Sequence, residues 1–239
     1  MEQRFCYQEN QYFGEVQPCT PAVFNRTVDS PDVARKIHTR RTVDELIRKG
    51  ESLDEWLNDY YYRKFCAKQA EKQGETFNRL TPAQKLLQWT NSLKQSLPCF
   101  IFAVRAFDGV RRKQEEIRLL SGLFMFDGDH LPFDPIEVYQ RTQVPGFPWQ
   151  VRLAHKTSSG EGIRLVCEWR MELGNIADCQ IQLARDLGLM GVKGSTGKPV
   201  VDDSCIDASR ISYCPMRDDI YYIDETNLFN IIKVSGVIR

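Results

Sequence analysis

Hydrophobic and polar residues change rhythm near Pro98. Upstream, apolar positions recur at helical spacing. Leu86, Trp89, Leu93 and Leu97 fall on one face of a segment that opens at Thr81-Pro82 and stops at Pro98. Ser30-Pro31 sets a capping residue before proline at a first helical position. Thr42-Val43-Asp44-Glu45 and Ser52-Leu53-Asp54-Glu55 each match a capping box. The second predicts a longer helix, with Leu53, Trp56, Leu57, Tyr60 and Tyr61 as its apolar stripe and Gly74 as its end. Residues 1–30 show no sustained period and allow one short strand. Residues 1–97 therefore read as a mainly helical N-terminal region.

Downstream of Pro98 the pattern shortens into apolar runs bounded by turn residues. Cys99 to Val104 suits a buried strand, and Asp108-Gly109 marks a turn. Leu123 to Asp129 reads Leu-Phe-Met-Phe-Asp-Gly-Asp, an apolar run that ends in two carboxylates. Asp134-Pro135 begins a short helix through Tyr139. Trp149 to Lys156 alternates, which predicts one face bearing Trp149, Val151, Leu153 and His155. The turn Thr157 to Gly162 leads into a strand from Ile163 to Trp169, and Asn175 to Leu187 is an amphipathic helix. A Gly/Ser/Lys loop spans Gly191 to Pro199. Val200-Val201-Asp202-Asp203 is a further apolar run ending in acid, and Ile211–Cys214 and Ile220–Ile223 read as short strands. Interleaved strands and helices over residues 98–225 predict an α/β or α+β layer fold, with residues 226–239 as a tail or linker.

Composition narrows the function classes. The 32 basic and 32 acidic residues cancel, which argues against gripping nucleic acid by bulk charge but permits a local basic groove. No apolar run reaches membrane-spanning length and Met1 to Phe5 lacks a signal-peptide core, so the expected location is cytoplasmic with no membrane partner. The eight cysteines are scattered without a Cys-x-x-Cys pair, which argues against zinc and for reduced, buried thiols.

The candidate chemistry lies in the second half. On a strand, Asp127 and Asp129 project to the same side, and Gly128 between them lets a ligand approach the backbone. Two packed carboxylates repel unless a positive group sits between them, and a hard divalent cation is one answer. A polar Asp-Gly-Asp turn is the plainer alternative. Ser158-Ser159-Gly160-Glu161-Gly162-Ile163-Arg164 forms a turn whose glycines and hydroxyls suit phosphate oxygens, with Arg164 on the strand face opposite Ile163 and Leu165. Asp202 and Arg210 offer another carboxylate and another guanidinium. Arg111, Arg112, Lys113 and Arg118 form a basic segment that is either a solvated face or phosphate-facing. Tyr60-Tyr61-Tyr62 suits base stacking, although aromatics at helical spacing more often face a core. Gly194-Ser195-Thr196-Gly197-Lys198-Pro199 lacks the spacing of a nucleotide-binding P-loop.

The order of these features resembles the archaeo-eukaryotic primase superfamily, most closely the VirE-type primase-like N-terminal domain of mobile-element proteins. The matching residues are Lys94 to Pro98, Ser121-Gly122-Leu123 into Asp127-Gly128-Asp129, Ser159 to Arg164, Val201-Asp202, Asp207 to Ile211 and Asp219 to Tyr222. The resemblance implies an α+β fold, a primase-like core with an RRM-like sheet. It implies Mg²⁺ or Mn²⁺ held by Asp127, Asp129 and Asp202 as catalytic metal ligands, with Asp203 and Asp207 as rivals for the third acid. It implies a nucleoside triphosphate bound by Ser159, Gly160, Gly162, Arg164 and Arg210, with single-stranded DNA as template and an element-encoded helicase as partner.

One departure stands out. Active members carry histidine where this chain has Arg164, and arginine cannot exchange a proton near neutral pH. His155 lies before the turn on the apolar face of its strand, and His130 just follows the acid pair; neither is expected to fill that place. The implied function is a nucleotidyltransferase that makes or extends primers by two-metal phosphoryl transfer, with ions about 3.5–4 Å apart. The alternatives are a catalytically inactive module that binds nucleic acid or a helicase, and a metal-dependent nuclease or phosphatase.

Overall fold

The computed structural model describes residues 3–12, 14–201 and 207–230. The chain opens with two short strands, β1 (Cys6–Gln8) and β2 (Gln17–Pro18), followed by a helical stretch. It comprises α1 (Pro21–Val28), α2 (Pro31–Lys49), α3 (Asp54–Leu57), α4 (Tyr60–Gln73), α5 (Glu75–Asn78) and α6 (Pro82–Gln95). Local chemistry explains most boundaries. Thr81 accepts from the Gln84 N–H while the Gln84 side chain accepts from the Thr81 N–H, a complete capping box before Pro82. Gly50 ends α2 in the left-handed region at φ 68°, and Gly74 ends α4.

Two helix boundaries differ from the sequence pattern. Thr42 does not start a helix, because α2 runs through it with Val33, Ile37 and Val43 buried along one side. Continuous burial outweighs the local cap. The helix expected from Ser52 breaks at Asn58-Asp59, where Asp59 accepts from the Tyr62 N–H and caps α4. That break turns the stripe. Tyr62 becomes buried and Tyr60 and Tyr61 are exposed.

The rest of the chain supplies most of the strands. It comprises β3 (Cys99–Ile101), β4 (Val104–Phe107), β5 (Ile117–Leu120), β6 (Leu123–Gly128), α7 (Pro135–Arg141), β7 (Val151–Lys156), β8 (Ile163–Glu168), α8 (Ile176–Asp186), β9 (Ser212–Tyr213), β10 (Ile220–Ile223) and α9 (Glu225–Phe229). The architecture is mixed α and β with antiparallel sheets. One sheet has the order β2-β1-β3-β9, a second the order β10-β7-β8-β6, and β4-β5 is a separate hairpin.

The second sheet is covered on both faces. Phe124 and Phe126 of β6 with Ile163, Leu165 and Cys167 of β8 pack against Cys179, Leu183 and Ala184 of α8 and Val138 of α7. Leu123, Met125, Leu153 and Val166 face the other way, onto Phe5, Phe24, Ile37, Phe100 and Phe102. Helices α1 and α2 thus join the sheet's own core, while α4 and α6 pack around a separate cluster of Val43, Tyr62, Leu86, Trp89 and Leu93. A register shift in β7 explains one failed expectation. Val151 pairs with Cys167 and Leu153 with the adjacent Val166, so an extra residue flips the alternation. Val151 and Trp149 therefore lie on the α8 side, while Leu153 and His155 lie on the other.

The succession β6-α7-β7-β8-α8-β10 is β-α-β-β-α-β. An RRM sheet places its first strand in the interior and its second at an edge. Here the first strand, β6, ends the sheet and the second, β7, is interior. The strand order therefore differs from that of an RRM sheet, and in the chain β9 of the first sheet intervenes between α8 and β10. A single bridge, Gly128 to Val201, continues the sheet beyond β6.

Candidate anion-binding cleft

At one end of the second sheet the face that packs on the aromatic cluster turns polar. Leu123, Met125 and Asp127 follow one another along this side of β6, and Val166 and Arg164 along β8. Asp127 is the Cα partner of Arg164, and Arg164 is also the partner of His155 on β7. Three polar side chains therefore stand in a row across three strands. At the far end of the sheet the buried charges pair off. Arg4 and Arg152 both contact Glu168, at 2.5 and 2.7 Å, and Arg152 also contacts Asp224 at 2.7 Å.

Arg164 donates to both carboxylate oxygens of Asp127, from Nε at 3.1 Å and Nη2 at 2.7 Å. Arg210 approaches the same carboxylate at 3.6 Å. Burial raises the Asp127 carboxyl above its ordinary range, Arg164 opposes this, and Asp129 reinforces it. The positive group beside Asp127 is thus a guanidinium. Asp129 sits one step beyond the strand, where its N–H donates to the Val200 carbonyl at 2.9 Å.

Around these groups opens a cleft of about 320 Å³, lined by Asp127, Asp129, Arg164, Asp207, Arg210 and Lys94 among others. Lys94, in the last turn of α6, lies 5.1 Å above the Tyr213 ring. Burial lowers its ammonium pKa, and Arg40 and Arg164 push the same way. Arg112 also lines the cleft and donates to the Ser209 carbonyl at 2.9 Å. The cations Lys94, Arg112, Arg164 and Arg210 face the acids Asp127, Asp129 and Asp207. Lys94 belongs to the stretch that carries the family resemblance but takes no site role from it, and Tyr213 carries no sequence signal as a site residue. Lys94 is one polar position on an amphipathic helix, and only the fold brings it to the strand ends. Arg112 was visible as one of a basic run, and its neighbour Arg118 instead points to Asp108 at 3.9 Å.

The Ser/Gly turn borders the same region through Thr157, Ser158 and Ser159, beside Lys94, Asp129, His155 and Arg164. Its closure is largely internal. Thr157 N–H donates to Gly162 O at 2.8 Å, Gly160 N–H to Thr157 O at 2.9 Å, and Glu161 N–H to Ser159 Oγ at 3.4 Å. The amides of Thr157, Gly160 and Glu161 are thus engaged within the turn. Gly160 and Gly162 serve the backbone. Gly160 adopts φ 83° against Arg41, and a Cβ at Gly162 would stand 2.5 Å from Gly128 O and 2.8 Å from Asp129 Oδ1. From α2, Arg41 donates to Thr157 O and to both oxygens of Asp219, and Arg48 pairs with Glu161 at 2.7 Å.

The two histidines near the site are engaged elsewhere. His155 is buried, and burial depresses its pKa to about 4, so its ring is neutral at pH 7. Nδ1 lies 2.9 Å from the Lys156 carbonyl, which only accepts, so Nδ1 carries the proton. Nε2 is left to accept from the Ser212 hydroxyl at 3.2 Å. His130, with φ 51°, turns its ring to Glu161 at 2.9 Å.

The expected metal ligands are only partly in view. Asp127, Asp129 and Asp207 share the cleft, and Asp202 and Asp203 lie outside the described residues. Among the described residues no group of three His, Cys, Asp or Glu is placed to hold a metal ion. Both oxygens of Asp127 are taken by Arg164, and those of Asp207 accept from the Ser209 N–H and hydroxyl, each at 2.7 Å. The described donors do not fit a two-ion set. Elsewhere, Cys6, Cys19, Cys99, Cys167, Cys179 and Cys214 are buried thiols, and no described helix is long and apolar enough to cross a membrane.

Comparison with known families, proteins and structures adds one match. Neither the curated proteins nor the solved structures give a match to this chain. Residues 92–186, which include Lys94, Asp127, Asp129, Ser159 and Arg164, are similar to the family described as BT4734-like, N-terminal domain.

Proposed function

We propose that the cleft binds the phosphates of a nucleotide or of single-stranded DNA, in a primase-like binding module that lacks metal-dependent turnover. The observation that carries this reading is the paired hydrogen bonding of Arg164 to Asp127. In the primase-like pattern that carboxylate would face a divalent cation. Here a guanidinium faces it instead. With Asp127 satisfied by Arg164, Lys94 and Arg112 supply further positive charge to the lining of the cleft, and phosphate oxygens are acceptors that suit them. The β-α-β-β-α-β succession, the Asp127/Asp129 pair and the adjoining Ser/Gly turn support the primase-like reading. Recruitment of single-stranded DNA, or of an element-encoded helicase, is the role that follows.

The second reading is the nucleotidyltransferase, with Mg²⁺ or Mn²⁺ held by Asp127, Asp129 and a third acid. Asp129 favours it, since its carboxylate lines the same cleft as Asp127. Calorimetric titration with a nucleoside triphosphate separates the two. The binding module is expected to bind in chelator, and an Asp127→Asn/Asp129→Asn double variant, shown to be folded by circular dichroism, is expected to bind at least as tightly. Binding that requires Mn²⁺ and disappears in the double variant would transfer the assignment to the metal-dependent enzyme.

A further inference from the structure

Next to the cleft lies a second, larger concavity that the phosphate reading does not use. It encloses about 630 Å³ and adjoins the cleft, with which it shares Gln11 and Arg112. Arg111, Arg112 and Lys113 form one wall, and Gln8 at the end of β1 lines the groove with Tyr12 and Glu15 of the loop that follows. The loop is tied down. Val16 N–H donates to Val110 O at 3.1 Å, and Tyr213 donates its hydroxyl to Gln11.

Two side chains in this groove stand out. Tyr12 is 60% exposed despite being a large aromatic on an anchored loop. Gln8 is only 5% exposed and lines the groove. Its Nε2 donates to Gly14 O at 3.2 Å, which fixes the amide orientation and leaves Oε1 as an acceptor. That buried Oε1 has no hydrogen-bond partner, nor does the buried Nε of Arg112. Buried polar atoms of this kind are rare unless something else satisfies them. The exposed ring of Tyr12 beside the arginines suits a nucleobase, which offers a flat face for stacking. The arginines suit the backbone that carries it.

We infer that this groove is a nucleobase subsite for single-stranded nucleic acid. The strand's phosphates would enter the neighbouring cleft at Arg112, and a base would stack on Tyr12. The inference rests on the reading of the cleft as a phosphate site. Lys113 contributes less than its neighbours, since Glu116 holds it at 2.9 Å.

The test uses the full chain and two probes, inorganic tripolyphosphate for the cleft and a fluorescent oligothymidylate for cleft plus groove. Tyr12→Ala is expected to weaken oligothymidylate binding about fivefold or more, the scale of one stacked base, and to leave tripolyphosphate binding unchanged. Arg111→Ala is expected to flatten the dependence of log affinity on log salt by about 0.7, the value for one single-strand phosphate contact. Both side chains are exposed, so neither substitution threatens the fold. Oligothymidylate binding untouched by Tyr12→Ala overturns the subsite. Tripolyphosphate binding without oligothymidylate binding also overturns the subsite but leaves the cleft reading standing. Failure of both probes removes the cleft reading and the subsite with it.

Discussion

Asp127 and Arg164 face each other in register across β6 and β8, joined by hydrogen bonds of 3.1 and 2.7 Å. Both side chains are buried, so the pair has given up its hydration and depends on its geometry. Asp127→Leu removes the carboxylate and leaves Arg164 buried without it. Urea unfolding is expected to show a loss of about 3–5 kcal/mol for that single substitution. The Asp127→Leu/Arg164→Leu double variant is expected to recover much of this. A single substitution that leaves the unfolding midpoint in place would mean that the pair does not hold the sheet end.

The pH response should show a buried neutral histidine. His155 titrates at about 4 in the fold, against about 6.5 in an unfolded chain. Between those values the unfolded chain binds a proton that the folded chain does not, so stability falls as pH drops from about 6.5 towards 4. The loss attributable to His155 is on the order of 3 kcal/mol. Asp127 and Asp219, whose carboxyls are raised by burial, act in the opposite direction at acid pH. The effect is therefore read as a difference. A His155→Gln variant is expected to lose less stability than the native chain between pH 7 and 4.5, and equal losses would exclude a depressed His155.

Gly162 has no room for a side chain. Its missing Cβ would meet Gly128 O at 2.5 Å, and Asp129 Oδ1 lies only slightly farther, at 2.8 Å. Backbone cannot give way as a flexible side chain can. Gly162→Ala is expected to cost about 1–3 kcal/mol of stability and to displace Asp129. Thermal melting reads the first effect, and triphosphate calorimetry the second. Gly50→Ala is a useful contrast, since nothing lies within 4 Å of its Cβ and only the left-handed backbone at φ 68° opposes it.

Arg41 couples α2 to the turn at the cleft. It donates to Thr157 O and to Asp219 at 2.8–2.9 Å. Arg41→Ala is expected to raise amide hydrogen exchange across residues 157–162 and to weaken anion binding severalfold while the helices stay folded. Unchanged exchange in the turn would show that it is held by its own internal hydrogen bonds alone.

Much of the architecture was legible because it follows from short-range chemistry. Thr81 with Gln84, the proline after Asp134 and the alternation in β8 each act within a few residues. What escaped the sequence depended on distant partners. The β7 register shift shows only once β8 lies beside it, and Thr42 looks like a helix start until the burial of Val43 is known. At the site, Asp127, Asp129, Arg164 and Arg210 were identified by residue type and order. Pairing was not, because the sequence shows that two acids need a positive neighbour but not that Arg164 sits opposite. Lys94 and Tyr213 reach the cleft by folding from far away in the chain. Asp202 lies outside the described residues.

Strand β3 lies between β1, from the start of the chain, and β9, from near residue 213; β7 likewise borders β10. The stretch that resembles a known family, residues 92–186, holds β3 and β7 but none of these three neighbours. What sequence comparison recognises and what folds are therefore different lengths of chain. A fragment cut to 92–186 would leave Phe100, Phe102, Leu123 and Met125 without Phe5, Phe24 and Ile37 over them, and would present open strand edges to other copies. Such a fragment is expected to aggregate, so an inactive or insoluble 92–186 piece would say nothing about the chemistry of the cleft.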